Sequence, residues 1–514
     1  MLSLIRGFAL RDIFDALFGI LTSEANSNGQ LSETVFHAIV TILGFVSDRR
    51  FTNFKPVLEL YIAQHFVEST AGYYILHSLQ RLLRQPAHPE SAPLLRSSIK
   101  VWRWLFKLVE RSYEMQKSAG EKPSNDLDSS FIDDISSILS SLGSLMRTSS
   151  PSSIIGTQTL AVQHFAGILP TLAQFFDSET LAENVISFVD SIGTPKGKMI
   201  IWRLLLLNQV VTSSTFSSPA SRSLLLPNIV RWIKPSLGKF EEHVHCQPKD
   251  PQTTRDNARV SWIEGLRLST GVVAAMLDVV QEALVDPTIN KNRSLLAQEH
   301  DNLEYLLGLL PRLLDSYREM QNFANLEAVE RQRSQASVAS ISPNVFPSTY
   351  PLSLLSYPAS QARRLNTGSN KTEHQEQSET WPSLQAGVGE VAAIFITLIL
   401  LSPRKIFVNW LESTLEIEGK DTFARQLGQL FRVAQSIVEE EAFPSDWLNM
   451  TALAHRAVMQ LAESVADILV SEFIPPPSSS FSFNTALWRD FFGMLLKLVA
   501  SPQLLIENFS PQKR

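Results

Sequence analysis

The stretch DRRFTNFKPVLELYIAQHF, residues 48–66, crowds Asp48, Arg49, Arg50, Lys55, Glu59, Tyr61 and His65 together. Carboxylate, phenol and imidazole groups are the materials of general acid–base chemistry, provided the fold brings them within hydrogen-bond reach. Read as a helix, the same residues place Phe54, Leu58, Tyr61, Ile62 and His65 along one side, with Pro56 tolerated in the first turn. Glu59, Gln64 and the arginine pair fall elsewhere, which is the pattern of an amphipathic packing helix rather than of a catalytic cluster.

Other candidate chemistry is sparse. GTPKGKM, residues 193–199, is the nearest approach to a phosphate loop, but Gly193 and Gly197 stand one residue too close. Met199 also occupies the place of the hydroxyl that would bind Mg²⁺, so the segment reads as a helix-start turn. EEHVHCQ, residues 241–247, gathers the zinc-ligand types Glu242, His243, His245 and Cys246. A zinc site needs three or four ligands fixed by distinct elements, and no second cluster of matching spacing exists, so a polar loop between helices is expected. Nucleophile-elbow and metalloprotease motifs are absent. The acid pair Asp133–Asp134 and the run Glu439–Glu441 read as solvated faces or helix ends. No catalytic, cofactor-binding or metal-ligating residue is nominated, and no cofactor is expected.

The elements that carry these residues are helices. Val35, Ile39, Ile42, Leu43 and Val46 follow one buried stripe, and Trp488, Phe491, Phe492, Leu495 and Val499 predict another near the end. Between them lie apolar stretches of helical length at about 71–84, 92–114, 131–147, 158–175, 180–191, 198–211, 222–235, 258–285 and 295–325. Strand alternation is almost absent. Polar, proline-containing breakers separate the stretches, for example AGEKPSNDLDSS at 119–130 and CQPKDPQTTRDN at 246–257. Many helices joined by short connections predict an all-α, irregular α-solenoid, without a fixed repeat period. The expected division is a first helical-repeat region at 1–329, a disordered Ser/Pro-rich insertion at 330–385, and a second helical-repeat region at 386–514. Within that insertion lie Arg331, Arg333, Arg363 and Arg364, a weak candidate contact for phosphoinositides or acidic partners. It also holds VFPSTYPLSLLSYP at 345–358, a candidate docking segment.

Composition narrows the class further. The 514 residues are 44% hydrophobic and 19% charged, enough for an extensive core. A formal net charge of -6 gives no general attraction to nucleic acid, so contact with an anionic partner requires a local basic patch. Cys246 is the single cysteine, which rules out a disulfide within these residues and fits a cytoplasmic setting. The apolar opening MLSLIRGFALRDIFDALFGILTSE carries Asp12 and Asp15, unlike a transit peptide, and is expected to be a buried helix. The run VAAIFITLILL, 391–401, is too short for a membrane span and is expected to be a core helix; no transmembrane segment is predicted.

Five segments, in order, resemble the central helical region of the dedicator-of-cytokinesis (DOCK) family of exchange factors for Rac- and Rho-type small GTPases. They are residues 48–66; TLAVQHFAGILPTLAQFFDSETLAENVISFV at 159–189; KGKMIIWRLLLLNQVV at 196–211 with RSLLLPNIV at 222–230; FPSDWLNMTALAHRAVMQ at 443–460; and LWRDFFGMLLKLVASPQLLIENFSPQKR at 487–514. The resemblance implies an armadillo- or TPR-like scaffold between a lipid-binding β-sandwich domain and an exchange domain. Both neighbours are expected to lie outside this chain, which begins inside the helical region and stops about where the linker to the exchange domain would start. The implied partners are a Rho/Rac-family GTPase through that exchange domain, an ELMO-type adaptor and a second copy of the chain. Peripheral recruitment to the plasma membrane is implied for the full-length protein. An independent adaptor of the HEAT or armadillo kind is the alternative.

Overall fold

A computed structural model describes residues 2–26, 29–47, 54–119, 124–243, 252–334, 383–439, 443, 450–474 and 483–501. All regular elements among them are helices. The chain forms two compact units, Met1–Leu225 and Leu226–Arg514.

In the first unit the main helices are α1 (Leu2–Thr22), α2 (Ser32–Val46), α3 (Lys55–Leu60), α4 (Ala71–Arg84), α5 (Ser91–Ala119), α6 (Ser124–Arg147), α7 (Ile155–His164), α8 (Leu169–Leu172), α9 (Ser178–Ser191), α10 (Lys198–Val211) and α11 (Ser214–Ser217). Helix α12 (Pro219–Ile233) begins here. Helices α4, α6 and α9 pack in one row and α5, α7 and α10 in another, with α5 also packing against α4 and α6. This two-row stacking is how an irregular helical repeat buries faces that no single helix pair can cover. Helix α5 is its spine, with Leu95, Ile99, Trp102, Trp104, Leu105, Phe106 and Val109 all buried.

Prolines decide where long apolar stretches break. The stretch expected at 158–175 is not one helix: α7 gives way to a 3₁₀ turn at Phe165–Ile168, and α8 restarts with Pro170 in its first turn. Pro170 has no N–H to continue the ladder and its ring would clash with the carbonyl one turn back. The stretch expected at 295–325 divides likewise, at Gly308, with Pro311 second in the following helix. The stretches at 71–84 and 198–211 coincide with α4 and α10.

Two sites hold the first unit at close range. Asn26, fully buried, donates from Nδ2 to Leu21 O (2.8 Å) and Ser32 Oγ (2.9 Å) and accepts from Leu31 N (2.9 Å), fastening the turn between α1 and α2. Where α4 meets α5, Gly72 N donates to Ser112 Oγ (2.9 Å), and Ser112 Oγ donates in turn to Ser69 O. A Cβ on Gly72 would lie 2.9 Å from Ser112 Cβ and Oγ and 3.3 Å from Phe131, so only glycine allows this approach.

The second unit contains the remainder of α12 and α13 (Phe240–His243), α14 (Gln252–Val285), α15 (Pro287–Lys291), α16 (Arg293–Leu307) and α17 (Leu310–Ser334). After residues 335–382, which lie outside the described residues, come α18 (Ser383–Leu401), α19 (Arg404–Glu418), α20 (Lys420–Ile437), α21 (Met450–Phe473) and α22 (Thr485–Ala500). Helix α18 packs on α14, α17 and α21, and α22 packs on α20. The run at 391–401 is a core helix: Val391 to Ile399 are buried without interruption, as expected for a helix covered on all sides. The segment Thr254–Val285 of α14 is long and apolar enough to cross a membrane, yet 61% of its apolar 18-residue window is buried inside the protein. Its packing against α16 and α18 is that of a core helix.

The expected stripe on the last helix is corrected. Leu487, Phe491, Met494 and Leu498 face the core, whereas Phe492 and Val499 are 53% and 71% exposed. Apolar residues surround α22 almost completely, so periodicity alone cannot choose its buried face.

Arg267 on α14 and Glu390 on α18 form a two-point pair, Nε to Oε2 at 3.2 Å and Nη2 to Oε1 at 2.9 Å. Glu390 is only 8% exposed, so the pair fixes helices on either side of the 335–382 stretch.

Two outcomes follow for stability. Gly72→Ala is expected to cost about 1–3 kcal/mol through overpacking against Ser112, read as a lowered denaturation midpoint. Arg267→Ala is expected to cost about 2 kcal/mol by stranding the Glu390 carboxylate, and the double change Arg267→Met/Glu390→Leu is expected to recover most of that loss.

Candidate functional site

The structure disperses the opening cluster. Asp48, Arg49 and Arg50 lie outside the described residues. The rest forms α3, with Pro56 in its first turn, continued by a π-helical turn at Tyr61–His65. Leu58, Tyr61 and Ile62 are buried, while Phe54 and His65 are half-buried. Tyr61 stacks on Phe14 with ring centroids 5.3 Å apart, and Phe66, buried beside it, meets Phe18 edge-on at 5.0 Å. Tyr61 donates its hydroxyl to Asp15 Oδ1 at 2.9 Å. Burial, and then that bond, push the phenol well above its ordinary range, so it serves as a fixed neutral donor and not as a base. Glu59 instead reaches Lys107, 3.6 Å away on α5. The stretch is a packing helix whose polar groups clamp α1 and α5.

The remaining candidates are equally structural. Gly193 and Gly197 both have positive φ, 64° and 55°, and Gly197 precedes α10 directly. Glu242 of α13 pairs with Arg312, and His243 is half-buried nearby. His245 and Cys246 lie outside the described residues, and no group of three or more metal-ligating side chains occurs among the described ones. Asp134 accepts from Gln80 Nε2 through its backbone oxygen (3.1 Å) and Oδ1 (3.2 Å), tying α6 to α4. Glu439 pairs with Lys497 at 3.1 Å. Arg331 and Arg333 belong to α17. Arg363, Arg364, the segment 345–358, Glu440 and Glu441 lie outside the described residues.

The buried polar groups that pattern reading missed are ones that satisfy backbone. Arg222 is 1% exposed and donates from Nη1 to Phe216 O (3.2 Å) and Ser217 O (2.9 Å), closing the end of α11. Gln158 donates to Leu145 O, Met146 O and Thr148 O at the end of α6. Arg203, also buried, is pushed down to about 10 by burial, with Asp190 opposing the shift. Each lies in an apolar helical run, where sequence offers no sign of its inward direction.

A helical array built from backbone-capping side chains, with its polar candidates spent on packing, has the character of a scaffold. A family model described as the dedicator of cytokinesis (DOCK) TPR region matches residues 5–290. The chain belongs to the dedicator of cytokinesis family. The match spans helices α1 to α15, and so includes the 48–66, 159–189 and 196–230 segments. Over 510 residues the chain is similar to dedicator of cytokinesis protein 3 of Homo sapiens (20% identical) and to protein 4 of Homo sapiens (22%) and Mus musculus (21%), each alignment covering 98% of this chain and 21% of the relative. The chain therefore spans about a fifth of the length of these DOCK relatives.

Two half-buried imidazoles are held below their ordinary pKa, which predicts that this DOCK helical region loses stability in acid. His164 is held below its usual value chiefly by burial and then by the charge of Lys100. His243 is lowered chiefly by burial; Arg312 adds to the shift, and a backbone hydrogen bond and Glu242 oppose it. Because the unfolded chain takes up these protons first, the stability present above about pH 6.5 is lost as pH falls through that value. Melting temperature is expected to drop between about pH 7.5 and 5.5, and His164→Gln/His243→Gln is expected to flatten that slope.

Proposed function

We propose that this chain is the noncatalytic helical scaffold of a DOCK-type guanine nucleotide exchange factor acting in Rac/Rho-family signalling. The single observation that carries the reading is the family match across α1–α15, joined to relatives whose similarity covers 98% of the chain. The mechanism is mechanical. Two-row packing and buried capping side chains stiffen the first unit and the Arg267–Glu390 clamp the second, so that together they hold a lipid-binding domain and an exchange domain at a set spacing. The GTPase meets the exchange domain, not this chain. Contacts with an ELMO-type adaptor, self-association and peripheral recruitment to the plasma membrane from the cytoplasm belong to the same proposal, as does a tethering role for residues 330–385. An independent adaptor is less favoured, because it leaves the family match without a role.

Release of fluorescent GDP from Rac- and Cdc42-type GTPases tests the reading. The 514-residue chain alone is expected to leave release at its intrinsic rate, and fusion to a DOCK exchange domain is expected to change that domain's rate. Acceleration by the chain alone would overturn the noncatalytic assignment, and a fusion indistinguishable from the exchange domain alone would turn the balance to the adaptor.

A further inference from the structure

The first unit carries a polar cleft of about 500 Å³ where the row α5, α7 and α10 meets α3 and the end of α2. Lys55, Lys100 and Arg103 line it, all exposed, and no carboxylate is among its lining residues. None of the three cations has an ion-pair partner among the described residues. Elsewhere on the surface Arg81, Lys107, Arg404 and Lys497 are each paired with a carboxylate, whereas these three cations share one cleft. The overall charge of -6 makes such a local excess of positive charge a departure from the chain's average.

The floor is rigid and offers neutral polar groups. Trp102 and Trp104 are 4% and 5% exposed; Trp102 Nε1 donates to His164 O at 2.7 Å, and the Arg103 guanidinium lies 5.4 Å from the Trp104 ring centre. Gln163, Gln209 and Thr212 border the cleft, and Ser47 Oγ is buried there without a hydrogen-bond partner among the described residues. Helices α2, α7 and α10 end at this cleft, and carbonyl ends oppose an anion. Their effect is blunted: His164 O accepts from Trp102, Asn208 O accepts from both the amide and hydroxyl of Thr212, and Leu43 O accepts from Ser47 N. A helix end carries only about half a unit charge, so three whole cations prevail.

We infer that this cleft binds a multiply phosphorylated small molecule of headgroup size. The volume falls in the range of small-ligand sites rather than of an extended peptide groove, and phosphate oxygens match two ammonium groups and a guanidinium fork together with neutral donors. A soluble inositol polyphosphate and a phosphoinositide headgroup share this chemistry. The site is independent of the scaffold reading, which assigns no ligand to this chain.

Calorimetric titration of the 514-residue chain with inositol hexakisphosphate at physiological salt tests the inference, in parallel with sedimentation on phosphatidylcholine vesicles carrying phosphatidylinositol bisphosphate. Saturable binding in the first arm identifies a soluble ligand, and binding only in the second a membrane one. In whichever arm binds, Lys100→Gln/Arg103→Gln is expected to weaken affinity about tenfold or more. The charge-matched change Lys291→Gln/Arg293→Gln, at exposed cations of the second unit, is expected to alter it less than about twofold. Equal losses in both variants, or equally tight binding of a poly-glutamate peptide, would overturn the site. So would absence of binding in both arms; if Lys100→Gln/Arg103→Gln then lowered the melting temperature, the cations would serve only the helix ends.

Discussion

The long apolar helices of this chain must be covered from more than one direction, and the rest of the structure depends on that constraint. One amphipathic helix can hide a single stripe; α18 is buried without interruption from Val391 to Ile399, α5 buries a broad face against α2, α4 and α7, and each therefore needs several neighbours. Stacking in two rows supplies them, with no strand among the described residues. It also explains why glycine stands at position 72: the rows close only if the α4 and α5 backbones approach until the Ser112 hydroxyl reaches the Gly72 amide.

A stacked array creates many helix ends, each with carbonyls that water cannot reach when the end is buried. Long side chains that would ordinarily sit at the surface are drawn inward to meet them. Arg222, Gln158 and Asn26 do so, and their partners are main-chain oxygens near the ends of α11, α6 and α1. Inward polar groups thus complete the backbone, while several outward ones pair on the surface. The cations beside Trp104 stand out because three of them line one cleft that has no carboxylate among its lining residues.

The same division accounts for a DOCK helical region with candidate motifs but no assembled chemistry among its described residues. Tyr61 illustrates it. Its neighbours in sequence include acids and bases, yet its hydroxyl partner is Asp15, 46 residues earlier, and its ring partners are Phe14 and Phe66. Spacing along the chain brought together the wrong set of groups, because successive residues of a helix point about 100° apart and so face different neighbours.

The sequence by itself determined the helical class, the extent of α4 and α10, the buried character of 391–401 and, through five ordered segments, the family. These rest on local periodicity and on residue order, which the linear chain records directly. Only the tertiary structure decided where Pro170 and Pro311 interrupt long apolar runs, which face of α22 is covered, and which arginines turn inward. It alone gathered Lys55, Lys100, Arg103 and Ser47 from two helices and a helix end into one cleft. These outcomes depend on neighbours distant in sequence: a side chain's direction and ionic partners are set by what packs against it, and periodicity within one helix carries no information about that neighbour.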